Sequence, residues 1–326
     1  MTRLYFFLIP CLFLFSACQP TAAPYTSEYL LLKSINSAAI SEAYLIIGSL
    51  DQGALVYSKS LKAPIYHWHM GANDPAIDAI AIASNAPTAI TTSANNLVIW
   101  DLATGKSRHF LTAPAGINSV AINDEGSLAA LGLANQQAIV IDLNKGGIIH
   151  TLNHRSAINT VALWQKTRLL TGEEANQATL WSLTSGKQIA TQSHGDGVTK
   201  VGFLNKGELA LSSSRYDAIK IWQTQENGQL KNTLSTRKKA MQAGKRLVDF
   251  ATLNNAELLL GYSDRAIEWR KRGEEKIETR WNLTKKIPLT IDSKALIAVG
   301  IFNHQKVAVT SNGQLHTLEP IQKTLK

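Results

Sequence analysis

One pattern constrains this chain more than any other: a short apolar strand ending in a large side chain returns about every 40 residues. The ends are Leu55-Val56-Tyr57, Val98-Ile99-Trp100, Ile139-Val140-Ile141, Thr179-Leu180-Trp181, Lys220-Ile221-Trp222 and Ile267-Glu268-Trp269, with a weaker seventh at Gln314-Leu315-His316. Around Trp222 the unit reads as four strands, residues 198–204, 208–213, 217–222 and 229–234, separated by turn residues such as Asn205-Lys206-Gly207. Helical spacing of apolar residues is not sustained beyond the N-terminal segment. A small sheet with two apolar faces must bury both against its neighbours. The spacing therefore predicts an all-β fold, a seven-bladed β-propeller of four-stranded antiparallel blades over residues 28–326.

A propeller whose first and last blades stayed apart would expose strand edges. The final unit supplies strands near residues 295–301, 306–310 and 314–318 and then runs out. An N-terminal strand is expected to close the ring as the missing fourth strand. The apolar Tyr29-Leu30-Leu31-Leu32, within residues 28–33, is the segment the sequence offers.

The strand end and turn Trp100-Asp101-Leu102-Ala103-Thr104-Gly105-Lys106, repeated as Trp181-Ser182-Leu183-Thr184-Ser185-Gly186-Lys187, resembles the tryptophan-aspartate (WD) repeat propellers. That resemblance implies a buried hydrogen-bonded set in each blade. Its members are a His before the first strand, a Ser or Thr in the second, an Asp in the next turn and the Trp. The fullest copy is His194, a Ser among residues 212–214, Asp217 and Trp222; His154 shares the register of His194, and Asp264 precedes Trp269 as Asp217 precedes Trp222. Other units depart from the pattern. Asn95 and Asn176 stand where the turn Asp is expected, Tyr57 and Ile141 where the Trp is, and the Asp after the Trp persists only as Asp101.

The N-terminus carries a different signal: Arg3, an apolar run over residues 4–15 broken by Pro10, then Ser16-Ala17-Cys18. This is the layout of a secretory leader. Phe15-Ser16-Ala17-Cys18 resembles a bacterial lipobox, with Phe15 where that motif usually has Leu. The resemblance implies cleavage before a lipidated Cys18, so that residues 1–17 are a signal peptide and residues 18–27 the lipidated Cys with a flexible tether. An uncleaved anchor helix is the alternative, and both place the rest of the chain outside the cytoplasm. Gln19 after the Cys implies sorting to the outer membrane of a Gram-negative bacterium, facing the periplasm. The only cysteines are Cys11 and Cys18, so the expected mature domain has no disulfide and relies on its core.

Apolar residues make up 45 % of the chain and charged ones 17 %, a composition that can bury a large core. The net charge is +9, Arg3 included. The basic residues cluster at Arg237-Lys238-Lys239, Lys245-Arg246, Arg270-Lys271-Arg272 and Lys285-Lys286, in or beside the sixth unit. In a propeller the connections from a fourth strand to the next first strand share one face, which would bring Arg237, Lys238, Lys239, Lys245, Arg246, Lys285 and Lys286 near one another, either as a dispersed solubilising surface or as one for an acidic protein or an anionic envelope glycolipid.

Catalytic and cofactor signatures are weak by contrast. His67 and His69 lack a third ligand at metal-site spacing, so no metal is expected. Gly105-Lys106-Ser107 lacks the glycine that a phosphate loop needs five residues earlier, where Trp100 stands. Glu173-Glu174 and Glu274-Glu275 read as solvated loops. The expected function is a non-catalytic, monomeric scaffold in the cell envelope, with protein partners, a membrane lipid anchor, no cofactor and no nucleic acid. A channel-sited enzyme or small-ligand binder is the rival.

Overall fold

A computed structural model describes residues 22–30, 34–71, 76–216, 218–225, 229–234, 245–253, 256–271, 274, 276–283 and 294–319. It contains seven four-stranded antiparallel sheets arranged as the blades of a propeller. Blades one to six each use four consecutive strands, spanning residues 35–68, 79–112, 117–153, 158–193, 198–234 and 247–282. Among the described residues no helix is long and apolar enough to cross a membrane.

Alternation explains the stacking. Second strands such as Leu128–Leu133 and Thr88–Ser93 are buried along their whole length, because both faces meet a neighbouring blade. Each core cluster therefore straddles two blades. Between blades one and two, Ile46, Val56 and Trp68 pack on Ile77, Val98 and Trp100, with the indoles of Trp68 and Trp100 stacked at 4.5 Å. Outer strands such as Ser107–Thr112 are mostly exposed and polar.

The ring closes through an N-terminal strand, but not the expected one. Tyr25–Tyr29 pairs with Gln314–Leu318, matching Tyr25 with Leu318 and Tyr29 with Gln314, to complete the seventh blade. The predicted segment at residues 28–33 is thus shifted, and Leu31, Leu32 and Lys33 lie outside the described residues. Apolarity misled the expectation. An outer strand faces solvent, which Tyr-Thr-Ser-Glu-Tyr suits, whereas Leu30 is buried between blades seven and one beside Ile35, Phe302 and Leu315. The supposed tether is correspondingly shorter: Ala23 is buried and its N–H donates to the Arg280 carbonyl of blade six.

Candidate functional site

In blade five the Oγ of Ser212 accepts the indole N–H of Trp222 at 3.1 Å and lies 2.9 Å from Nε2 of His194, all three side chains being buried. Asp217, the fourth expected member, lies outside the described residues. Blade four keeps half of the set. Trp181 donates to Thr171 at 3.2 Å and lies edge-on to His154. His154 is held by a residue the expectation missed, Glu173, whose carboxylate stands 3.1 Å from Nδ1. Glu173 is no solvated loop residue. It ends the strand Arg168–Glu173, two residues after Thr171 on the same face, and is 3 % exposed. Burial pushes the Glu173 carboxyl up, but the His154 contact and the backbone N–H groups of Arg155 and Ser156 more than offset this, and it stays below the usual carboxylate range.

Blade two replaces the His with a thioether: Trp100 donates to Thr91 at 2.8 Å, and the Thr91 hydroxyl donates to Met70 Sδ. Asp101, beside this set, serves the turn. One oxygen accepts the N–H groups of Ala103 and Thr104 and the other meets Arg108, which together with those N–H groups lowers its pKa.

Blade six corrects the register read from sequence. Trp222 pairs with Ala210, and the equivalent of Ala210 in blade six is Leu258, whose partner is Arg270. Trp269 is one residue early, so it points to the opposite face, where the ammonium of Lys306 sits 3.9 Å over its ring. Arg270 fills the Trp slot and pairs with buried Glu268 at 2.7 Å; Tyr262 donates to the same carboxylate, and Arg280 and Lys245 lie 3.6 and 3.8 Å away. Asp264 belongs to no buried set. It caps the Ala266 N–H and pairs with Lys245 at 3.3 Å.

These contacts bear on the expected basic surface. Lys245 is largely buried, turned onto Asp264, Glu268 and the Tyr262 ring, whereas Arg246 stays exposed on the rim. Arg237, Lys238, Lys239, Lys285 and Lys286 lie outside the described residues, as does Cys18. The connections that carry them are long: fourth-to-first links span residues 235–246 and 283–295 on the two sides of blade six and 69–78 between blades one and two, against 113–116, 154–157 and 194–197 elsewhere.

The channel has a volume of about 550 Å³ and is lined chiefly by Ala, Ile, Leu, Val and Phe from the inner strands. Its carboxylates are committed: Asp249 pairs with Lys200 at 2.6 Å and Glu42 with His304 at 2.8 Å. His67 and His69 lie with ring centroids 4.3 Å apart, and among the described residues no group of three His, Cys, Asp or Glu could hold a metal.

No protein-family model matches the chain. It is similar to Autophagy-related protein 16 of Arabidopsis thaliana, with 26 % identity over 152 residues, which is 45 % of this chain and 30 % of that protein. The chain thus matches less than a third of the length of that relative.

Proposed function

We propose that the chain is a non-catalytic scaffold that binds an acidic protein partner through the loops flanking blade six. The observation that carries this is the pair of long connections, residues 235–246 and 283–295, which bear Arg237, Lys238, Lys239, Arg246, Lys285 and Lys286, whereas the other long connection, residues 69–78, holds no Lys or Arg. Lengthened loops on a closed frame cost the core little and can take the shape a partner needs. The channel favours this reading over an enzyme or small-ligand binder, because most side chains lining it are aliphatic or aromatic and the carboxylates among its described lining, Asp249 and Glu42, already contact Lys200 and His304.

The leader-like start supports export, with residues 1–17 removed and Cys18 lipidated, a short tether, and display on the periplasmic side of the outer membrane of a Gram-negative bacterium. Such a location removes nucleic acid as a partner, and the closed edges suit a monomer. Labelling with a palmitate analogue should mark the wild type and not Cys18→Ala. Crosslinking in intact envelopes should trap a partner that Lys238→Glu/Lys239→Glu/Arg246→Glu releases. Retention of the same partner by the charge-reversed variant would refute the surface assignment.

A further inference from the structure

Between blades four and five, on the face opposite the fourth-to-first connections, lies a cleft of about 630 Å³. Its charge pattern has a traceable origin. In blades two and three the residue after the third-strand end is an acid that caps the next turn: Asp101 accepts the Ala103 N–H at 2.8 Å, and Asp142 accepts those of Asn144 and Lys145 at 2.9 and 3.0 Å. Blade four has Ser182 there, whose hydroxyl takes the Ser185 N–H at 3.3 Å. The turn is kept and the carboxylate is gone.

The residue across the ladder changes in the opposite sense. Asp101 faces Thr88 and Asp142 faces Leu128, whereas Ser182 faces Arg168. Arg168 is half-buried and is fixed from blade five: Nη1 donates to the Gly207 carbonyl at 2.9 Å and to the Thr224 hydroxyl at 2.6 Å. Among the described residues its Nε–Nη2 edge makes no bond and no carboxylate lines the cleft. Lys187 provides a second cation, without an ion pair among the described residues, and the remaining wall is mostly hydroxyl and carboxamide, including Ser185 and Gln225.

We propose that this cleft binds a small oxyanion carrying hydroxyl groups, of which a sugar phosphate is the type. The free guanidinium edge offers two parallel N–H donors that match two oxygens of a phosphate, and Arg168 is already held in place, so little side-chain entropy remains to be lost. Lys187 adds a point charge, and the hydroxyl and carboxamide groups suit sugar hydroxyls. The volume admits a monosaccharide phosphate with its water.

Titration calorimetry of the full chain at low ionic strength tests this with glucose 6-phosphate, inorganic phosphate and glucose as probes. Glucose 6-phosphate should bind saturably and more weakly as salt rises, inorganic phosphate should bind less well, and glucose should give no signal. Ser182→Asp restores the acid that blades two and three carry at this turn, so it should keep the melting temperature and lower affinity about tenfold or more. Lys187→Met, at an exposed position, should weaken binding a few-fold. Absence of saturable binding to the wild type, equal affinity for inorganic phosphate, or unchanged affinity in Ser182→Asp would overturn the assignment.

Discussion

His154 and Glu173 form a buried pair, Nδ1 to Oε1 at 3.1 Å, in which the side chains are 1 % and 4 % exposed. Because the folded-state pKa of Glu173 lies below its ordinary value of 4.5, the pair stabilises the fold fully above that value and loses its contribution as pH falls through the folded-state pKa. Chemical denaturation between pH 6 and about 3 should show a steeper acid loss for the wild type than for Glu173→Gln. Parallel acid limbs would remove Glu173 from the account.

The blade-five set predicts a contrast between two tryptophans. Trp222→Ala opens a cavity beside Ser212 and His194 and should cost about 3–5 kcal/mol, whereas Trp269→Ala, on a partly exposed face, should cost clearly less, and Lys231→Ala almost nothing. Melting temperatures rank the three. Equal losses for the two Trp variants would restore the register read from sequence.

Glu268 accepts hydrogen bonds from Arg270 and Tyr262 and forms ion pairs with Arg280 and Lys245, so Glu268→Ala leaves these largely buried cations facing one another. Breaking such a group should cost about 3–5 kcal/mol. The paired change Glu268→Thr with Arg270→Trp should recover much of the loss, which urea midpoints would read. No recovery would mean that the slot in blade six has lost its fit for Trp.

Two substitutions separate strand pairing from packing at the ring closure. Glu28→Pro removes a ladder donor from the strand Tyr25–Tyr29, because Glu28 and Leu315 form a hydrogen-bonded pair, and should promote oligomers through the freed edge of blade seven, visible by size-exclusion chromatography with light scattering. Leu30→Asp places a charge between blades seven and one and should lower the melting temperature more strongly. Monomeric Glu28→Pro with wild-type stability would remove the closure strand from the account of stability.

The period of the strand ends was legible because every blade must present two apolar faces at nearly the same spacing. What the period cannot show is a one-residue slip: Ile267-Glu268-Trp269 looks like a third-strand end, yet the chain places Arg270 in the slot and Trp269 on the other face. Glu173 was missed for a related reason, since Gly172-Glu173-Glu174 has the composition of a turn and only the ladder shows that Glu173 is its last buried residue. At the closure strand the apolar run at Leu30 marked a crossover between blades, because an outer strand in water has no need of leucine.

The contact between Ser27 Oγ and His316 Nδ1, at 2.7 Å, joins residues 289 positions apart. Blades one to six are each assembled from neighbouring hairpins, so their pairing can proceed locally and early. Blade seven has no such shortcut: its outer strand lies near the start of the chain and its other three lie near the end. Native topology is therefore completed by one long-range loop closure, whose entropy loss must be met before the last edge is covered. Wherever the chain is delivered from its N-terminus, Tyr25–Tyr29 waits without a partner until Gln314–Leu318 has arrived, which makes the closing strand a timer for the whole ring.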